Sequence, residues 1–173
     1  CIGGVLAGSA WGCFNNSSVI ANDGPGSGPV SHDGGGNQSL KQYGIDAGAY
    51  NNVEVSAGNT VEVSAWAMNW AGDPFNNLAI LQLTFRDGPI GSGSQIGQAV
   101  ETIADTRGNH SVDLSVPQNG AEITDWTEMS VSAVAPAGAQ SAQVLLLHIQ
   151  SDRTPFGGAI FWDDVNITVR GTP

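Results

Sequence analysis

Apolar and polar side chains alternate along the middle of the chain with the period of a β-strand. In Val61-Glu62-Val63-Ser64-Ala65-Trp66-Ala67-Met68-Asn69-Trp70, the odd positions Val61, Val63, Ala65 and Ala67 are apolar. Glu62, Ser64, Trp66, Met68 and Trp70 interleave with them. Side chains on a strand point alternately to its two faces, so one face is core and the other carries a charge, a hydroxyl and indoles. The run Leu78–Asp87 repeats the pattern. Ala79, Leu81, Leu83 and Phe85 point one way, and Ile80, Gln82, Thr84 and Arg86 the other. Val53–Asn69 and Leu78–Asp87, joined by the turn-rich link Trp70–Asn77, are expected to pair as the central strands.

Shorter runs at Ser39–Tyr43, Gln98–Ile103, His110–Val116, Thr127–Ala135, Gln143–Gln150 and Ala159–Val169 read as further strands. Gln143–Gln150 is apolar almost throughout, which fits a central strand covered on both faces. Two edge strands fit within residues 1–22, residues 22–37 form a loop, and a turn-rich connector runs from Tyr43 to Tyr50. Asp87–Ser94 holds Asp-Gly and Gly-Ser-Gly-Ser and reads as a hairpin link. About nine to eleven short strands between Gly, Pro and Asn turns predict an all-β fold, an antiparallel β-sandwich of the jelly-roll type. No internal repeat or linker divides the sequence, so residues 1–173 are expected to form a single domain.

Composition narrows the partners. With 24 Gly and 8 Pro but only 5 Lys plus Arg, long helices are disfavoured. A formal net charge of −11 argues against nucleic acid and anionic membranes, which need a cationic surface. No apolar stretch is long enough to span a membrane. The chain starts with Cys rather than Met, which reads as a processed product or an excised domain. The acidic, Lys-poor balance favours a secreted, extracellular protein. Cys1 and Cys13 are the only cysteines. In a secreted chain they read as one disulfide closing an N-terminal loop, with a lipid-carrying Cys1 as the alternative.

Several phrases, in order, resemble the jelly-roll carbohydrate-binding modules that accompany bacterial xylanases, β-glucanases and related enzymes. They are Ser31-His32-Asp33-Gly34 with Ser39-Leu40-Lys41, and Ala57-Gly58-Asn59-Thr60 leading into Val61–Trp66. Ala135-Pro136-Ala137-Gly138 and Phe161-Trp162-Asp163-Asp164-Val165 complete the set. The resemblance covers most of the chain from about residue 11 onward. It implies xylan or β-glucan binding, an attached glycan-degrading catalytic domain as partner, and a structural calcium. By the resemblance that Ca2+ site uses Asp163, the carbonyl of Lys41 and groups around Asp33 and Gly34. The family's usual opening, a Gly-Phe-Glu-like strand with a metal-binding acid, is replaced here by Cys1-Ile2-Gly3-Gly4.

The residues themselves point to chemistry of the same kind. An indole stacks on the C–H face of a pyranose while polar neighbours bond its hydroxyls. Trp66 and Trp70 are the expected platform, with Glu62, Ser64, Gln82 and Thr84 beside them; packing beneath a loop is the structural alternative. Tyr43 and Trp126 are further aromatic candidates. Gln150, and His148 two residues before it, are candidates for bonding sugar hydroxyls or for a satisfied half-buried position. Val165 and Ile167 must face the core, so alternation puts Asp163 on their side and Asp164 outward. An inward carboxylate needs a metal or a full set of hydrogen bonds. Catalytic signatures are missing: there is no His-Glu-x-x-His, Gly-x-Ser-x-Gly, phosphate loop or Cys/His cluster. The expected function is non-catalytic polysaccharide binding on a Trp-bearing sheet face. The alternative is an extracellular structural subunit, self-assembling through strand addition by Ile2–Ala10.

Overall fold

The computed structural model describes residues 4–5, 10–21, 32, 38–44, 46–69, 77–105, 126–150 and 158–171. Among them run eleven strands. The first four are β1 (Gly4–Val5), β2 (Gly12–Phe14), β3 (Ser17–Ala21) and β4 (Gln38–Tyr43). Then come β5 (Asp46–Glu54), β6 (Thr60–Asn69), β7 (Asn77–Arg86) and β8 (Gln95–Asp105). β9 (Thr127–Val134), β10 (Ser141–Gln150) and β11 (Ala159–Arg170) complete the set. They form a six-stranded sheet in the order β1-β2-β5-β10-β7-β8 and a five-stranded sheet in the order β3-β4-β11-β6-β9. Neighbouring strands are antiparallel. The two sheets enclose one apolar layer, so the chain is an antiparallel β-sandwich. No helix among the described residues is long and apolar enough to cross a membrane.

The alternation identified the buried rows correctly. Val61, Val63, Ala65 and Ala67 on β6 and Ala79, Leu81, Leu83 and Phe85 on β7 are all buried. Their pairing is different from the expectation. β6 lies between β11 and β9, whereas β7 lies between β10 and β8 in the other sheet. The two apolar rows therefore meet across the core. Period two fixes which side is buried and leaves open whether the partner lies beside the strand or opposite it.

Two further boundaries moved. The run from Val53 divides at a tight turn in which the Asn59 N–H donates to the Ser56 carbonyl and the Ser56 N–H to Asn59 Oδ1. Gly58 takes a φ of 86° there, a conformation that favours glycine. The connector expected before Tyr50 is instead part of β5, and its Gly48 lies beneath the ring of Phe14 from β2. Close cross-strand packing of that kind needs the small residues that resembled turn chemistry. The strand expected at His110–Val116 lies outside the described residues. Part of the Ile2–Ala10 segment, Gly4–Val5, pairs with β2 of its own chain.

One end of the core is polar. Trp162 is 1% exposed, and its indole N–H donates to Gln42 Oε1 at 2.9 Å. Gln42 Nε2 in turn donates to the Leu146 carbonyl of the opposite sheet at 3.0 Å. Beside this tie, His148 donates from Nε2 to Asn77 Oδ1 at 2.8 Å, and Asn77 Nδ2 donates to Asn69 Oδ1 at 2.9 Å. His148 Nδ1 and Asn69 Nδ2 find no partner among the described residues. Gln150 Oε1 accepts the Gly158 N–H. Asn69 and Asn77 end β6 and begin β7, and Gln150 and Gly158 flank the passage from β10 to β11. The cluster thus ties together two points at which the chain changes sheet.

Burial pushes the His148 imidazole down to about 4 from an ordinary 6.5. Between those values the unfolded chain binds a proton that the folded chain refuses. Stability should therefore fall as pH drops from about 6.5 to about 4, by roughly 3 kcal/mol at most, and level off below. Urea midpoints measured across this window should show that loss in the native chain and a smaller one in His148→Gln. Equal pH dependence in the two would reject the assignment.

Candidate functional site

The outward side of the six-stranded sheet is built in rows. Asn52 of β5, Gln143 of β10 and Thr84 of β7 stand side by side, and Tyr50, Leu145 and Gln82 form the row next to them. Gln143 Nε2 donates to Asn52 Oδ1 at 3.3 Å, and Arg86 Nη2 to Gln143 Oε1 at 3.5 Å. Amide and guanidinium groups thus cross three strands, next to a row of phenol, leucine and amide. Tyr50 pairs with Gly12 of β2, and a Cβ at Gly12 would run into its ring. Phe14 lies over Gly48 in the same way. An aromatic ring set over a cross-strand glycine is held in place by the sheet and loses little freedom when a ligand stacks on it. The face offers a fixed ring, apolar C–H surface and convergent hydrogen-bonding groups, the set that recognises a sugar.

The outward side of the five-stranded sheet holds the residues on which the sequence laid most weight. Trp66 shares this face with Glu62 and Ser64, as alternation requires. Its indole is not a free platform. The His32 ring stacks on it with centroids 3.6 Å apart and planes 15° apart. Trp126 meets His32 edge-on at 6.4 Å. The packing of the indole against a loop residue is therefore what the structure contains.

Asp163 anchors that cap. It pairs with Trp66 across β11 and β6, on the outward face, contrary to the inward orientation expected from Val165 and Ile167. The reason is a β-bulge between Asp163 and Asn166, with Asp164 at a φ of 47°. One extra residue reverses the alternation, so Val165 and Ile167 still pack on the core. Asp163 Oδ2 accepts the His32 N–H at 2.8 Å, and its Oδ1 accepts the Asp164 N–H at 2.9 Å. Asp164, expected to point outward, accepts from His32 Nδ1 at 2.8 Å.

The remaining sequence candidates scatter. Gln82 and Thr84 sit on the other sheet, away from Glu62 and Trp66 and beside Leu145 and Gln143. Gln150 and His148 are both 0% exposed and inside the sandwich, so neither reaches a sugar on either face. Tyr43 is 43% exposed, and the Lys41 ammonium lies 5.7 Å from its ring centroid and 5.6 Å from that of Phe161. Glu62 is paired with Arg170 at 2.8 Å. Cys13 is buried and disulfide-bonded, and Cys1 is the only other cysteine. Cys1, Asp33, Gly34 and Trp70 lie outside the described residues. Sequence reasoning missed Tyr50, Asn52 and Gln143. Gly12 and Gly48, spaced against Tyr50 and Phe14, were the available signal, but one legible only once the β2–β5 register is known.

No family model matches the chain, and no curated protein does. Solved structures do match. The CBM22-1 xylan-binding domain of Paenibacillus barcinonensis Xyn10C aligns with 99% of this chain and 92% of its own, at 15% identity and a TM-score of 0.56. TmCBM61 in complex with β-1,4-galactotriose aligns over 95% and 90%, at 12% identity and a TM-score of 0.56. The enzymatically active domain of bacteriophage CBA120 tailspike protein 4 aligns with 93% of this chain at 15% identity and a TM-score of 0.57. This chain spans only 19% of that tailspike domain. The shared feature is the jelly-roll fold.

Asp163→Asn replaces one acceptor oxygen with a donor and leaves an N–H facing it. A loss of about 1.5–3 kcal/mol is expected, the scale of a hydrogen bond to a charged group. Release of His32 should also expose Trp66, so tryptophan fluorescence should shift to the red and become more sensitive to acrylamide. Unchanged fluorescence would show that the cap does not depend on Asp163.

Proposed function

We propose that the chain is a non-catalytic polysaccharide-binding module that holds a neutral glycan on the outward face of the six-stranded sheet. The observation that carries this reading is Tyr50, fixed over Gly12 beside the Arg86–Gln143–Asn52 row. The ring supplies the stacking surface, Leu145 extends it, and the side-chain amides bond equatorial hydroxyls. The fold supports the reading, since the matching structures include a xylan-binding domain and a module in complex with β-1,4-galactotriose. An attached catalytic domain and an extracellular place of action go with it. The Trp66 face is a poorer platform for this ligand, because His32 occupies an indole face.

Tyr50→Ala should weaken retention on xylan or galactan in an affinity gel by ~10-fold or more, the effect of removing a central aromatic anchor. Trp66→Ala should leave that retention nearly intact. The reverse ranking would sink this face as the principal site.

Calcium belongs to the same proposal. Both oxygens of Asp163 accept N–H groups, and no three metal-ligating His, Cys, Asp or Glu side chains cluster among the described residues. A calcium ion would have to replace those amides as the partner of Asp163, and would draw on Lys41, Asp33 and Gly34 for further oxygens. A ligand that binds only the folded state at ~100 Kd adds about 2.7 kcal/mol. The thermal midpoint should then rise by several degrees in calcium and fall back on chelation. A midpoint indifferent to both additions removes the ion and leaves Asp163 as the anchor of His32.

A further inference from the structure

The five-stranded sheet carries a groove of about 400 Å3 on its outward side, beyond the capped Trp66. Its position follows from register. Ser130 and Ser132 of β9 stand opposite Ser64 and Glu62 of β6, which stand opposite Asn166 and Thr168 of β11. Six polar side chains therefore form a grid of two rows and three strands, all of them outward and none of them apolar. Arg170 closes one end by pairing with Glu62 at 2.8 Å, and the Trp66–His32 stack stands at the other.

The lining decides the class of ligand. Four hydroxyls and a side-chain amide donate and accept in all directions, which suits a molecule dense in hydroxyl groups. An ordinary hydrophobic ligand would strip them of water without return. An anion is disfavoured too. Arg170 is already paired, and Glu62, Glu128, Asp163 and Asp164 border or line the same face. The volume falls in the range of small-molecule sites and accommodates a short stretch of sugar. We propose that this groove is a second site for neutral glycan, back to back with the Tyr50 face, so that one chain engages two polysaccharide strands.

The proposal builds on the glycan reading above, and its test separates the two. Xylohexaose and β-1,4-galactotriose serve as probes in an NMR titration of the native chain, with backbone amides followed on both sheets. Two sets of shifts are expected, one on β5, β10 and β7 and one on β6, β9 and β11, with a total of two oligosaccharides per chain. Ser130→Ala with Asn166→Ala removes one polar group from each wall at exposed positions. It should weaken the second set about tenfold or more, leave the first unchanged, and reduce the ability of the chain to cross-link and precipitate soluble xylan. Tyr50→Ala should do the opposite to the two sets. If the first set fails to appear while the groove still titrates, the Tyr50 face is wrong and the groove stands. If neither probe shifts the amides of β6, β9 and β11 at millimolar concentration, or if the double variant titrates like the native chain, the second site is overturned.

Discussion

The requirement that Trp162 be buried with its N–H satisfied shapes the centre of this sandwich. Among the described residues the indole is the largest fully buried side chain, at 1% exposure. Gln42 meets the need, and its other end reaches the Leu146 carbonyl of the opposite sheet. One side chain therefore fixes the relative position of the two sheets, where apolar contact alone would let them slide. The alanines of the core make the arrangement possible. Ala65, Ala67, Ala79 and Ala142 share the layer with Trp162, and their small side chains leave the volume that a bulky indole takes. Replacing the glutamine with an apolar residue would strand a donor in the core, a far larger disturbance than its loss of volume.

The two outward faces inherit their character from that framework. Trp162 is followed at once by the bulge at Asp163 and Asp164, so the strand that anchors the core also aims a carboxylate outward at His32. His32 then covers Trp66. On the other sheet the corresponding event is the close approach of β2 and β5, where glycines let Tyr50 and Phe14 lie over the neighbouring strand. The same kind of side chain ends in two different states. One ring is covered by a residue held with hydrogen bonds, and the other rests on the sheet with its surroundings polar and half-open.

Alternation made the fold legible, and the buried rows of β6 and β7 could be read directly from the sequence. Strand β10, expected to be covered on both faces, buries Val144 and Leu146 and leaves Gln143 and Leu145 half-buried on the outward face. What alternation could not supply was sheet membership, because an apolar face has the same pattern whether its partner lies beside it or across the core. That single ambiguity separated Gln82 from Glu62. It could not supply the bulge either. Asp164 sits in a left-handed conformation that aspartate tolerates better than most residues, and nothing in Trp162-Asp163-Asp164-Val165 distinguishes a bulge from a regular strand. Gln150 and His148 read from the sequence either as groups for a sugar or as satisfied, half-buried side chains, and the structure buries both completely. Their places at the end of a long strand hid the fact that the core itself closes there on side-chain hydrogen bonds.

Aromatic content is therefore a weak guide to a sugar platform unless the fate of the ring face is known. A tryptophan on a polar sheet face draws the eye, yet its large apolar surface is also the best target for a loop that needs an anchor. A smaller ring over glycine costs the sheet a side chain and some backbone order, which a protein seldom concedes without a gain in packing or recognition. Here the gain in packing is visible, and recognition is what the proposed function adds. Tyr50 fills the gap above Gly12, and in doing so it becomes a ring whose orientation no longer has to be fixed when a ligand arrives. Recognition on that face can then be distributed over the amide row, whose members are already hydrogen-bonded to one another and so point in set directions. The polar grid on the far sheet has hydroxyls at regular strand spacing but no ring of its own. Any affinity of that grid for a sugar would have to come from many weak hydrogen bonds, whereas the Tyr50 face would rely on one stacking contact and a few directed bonds.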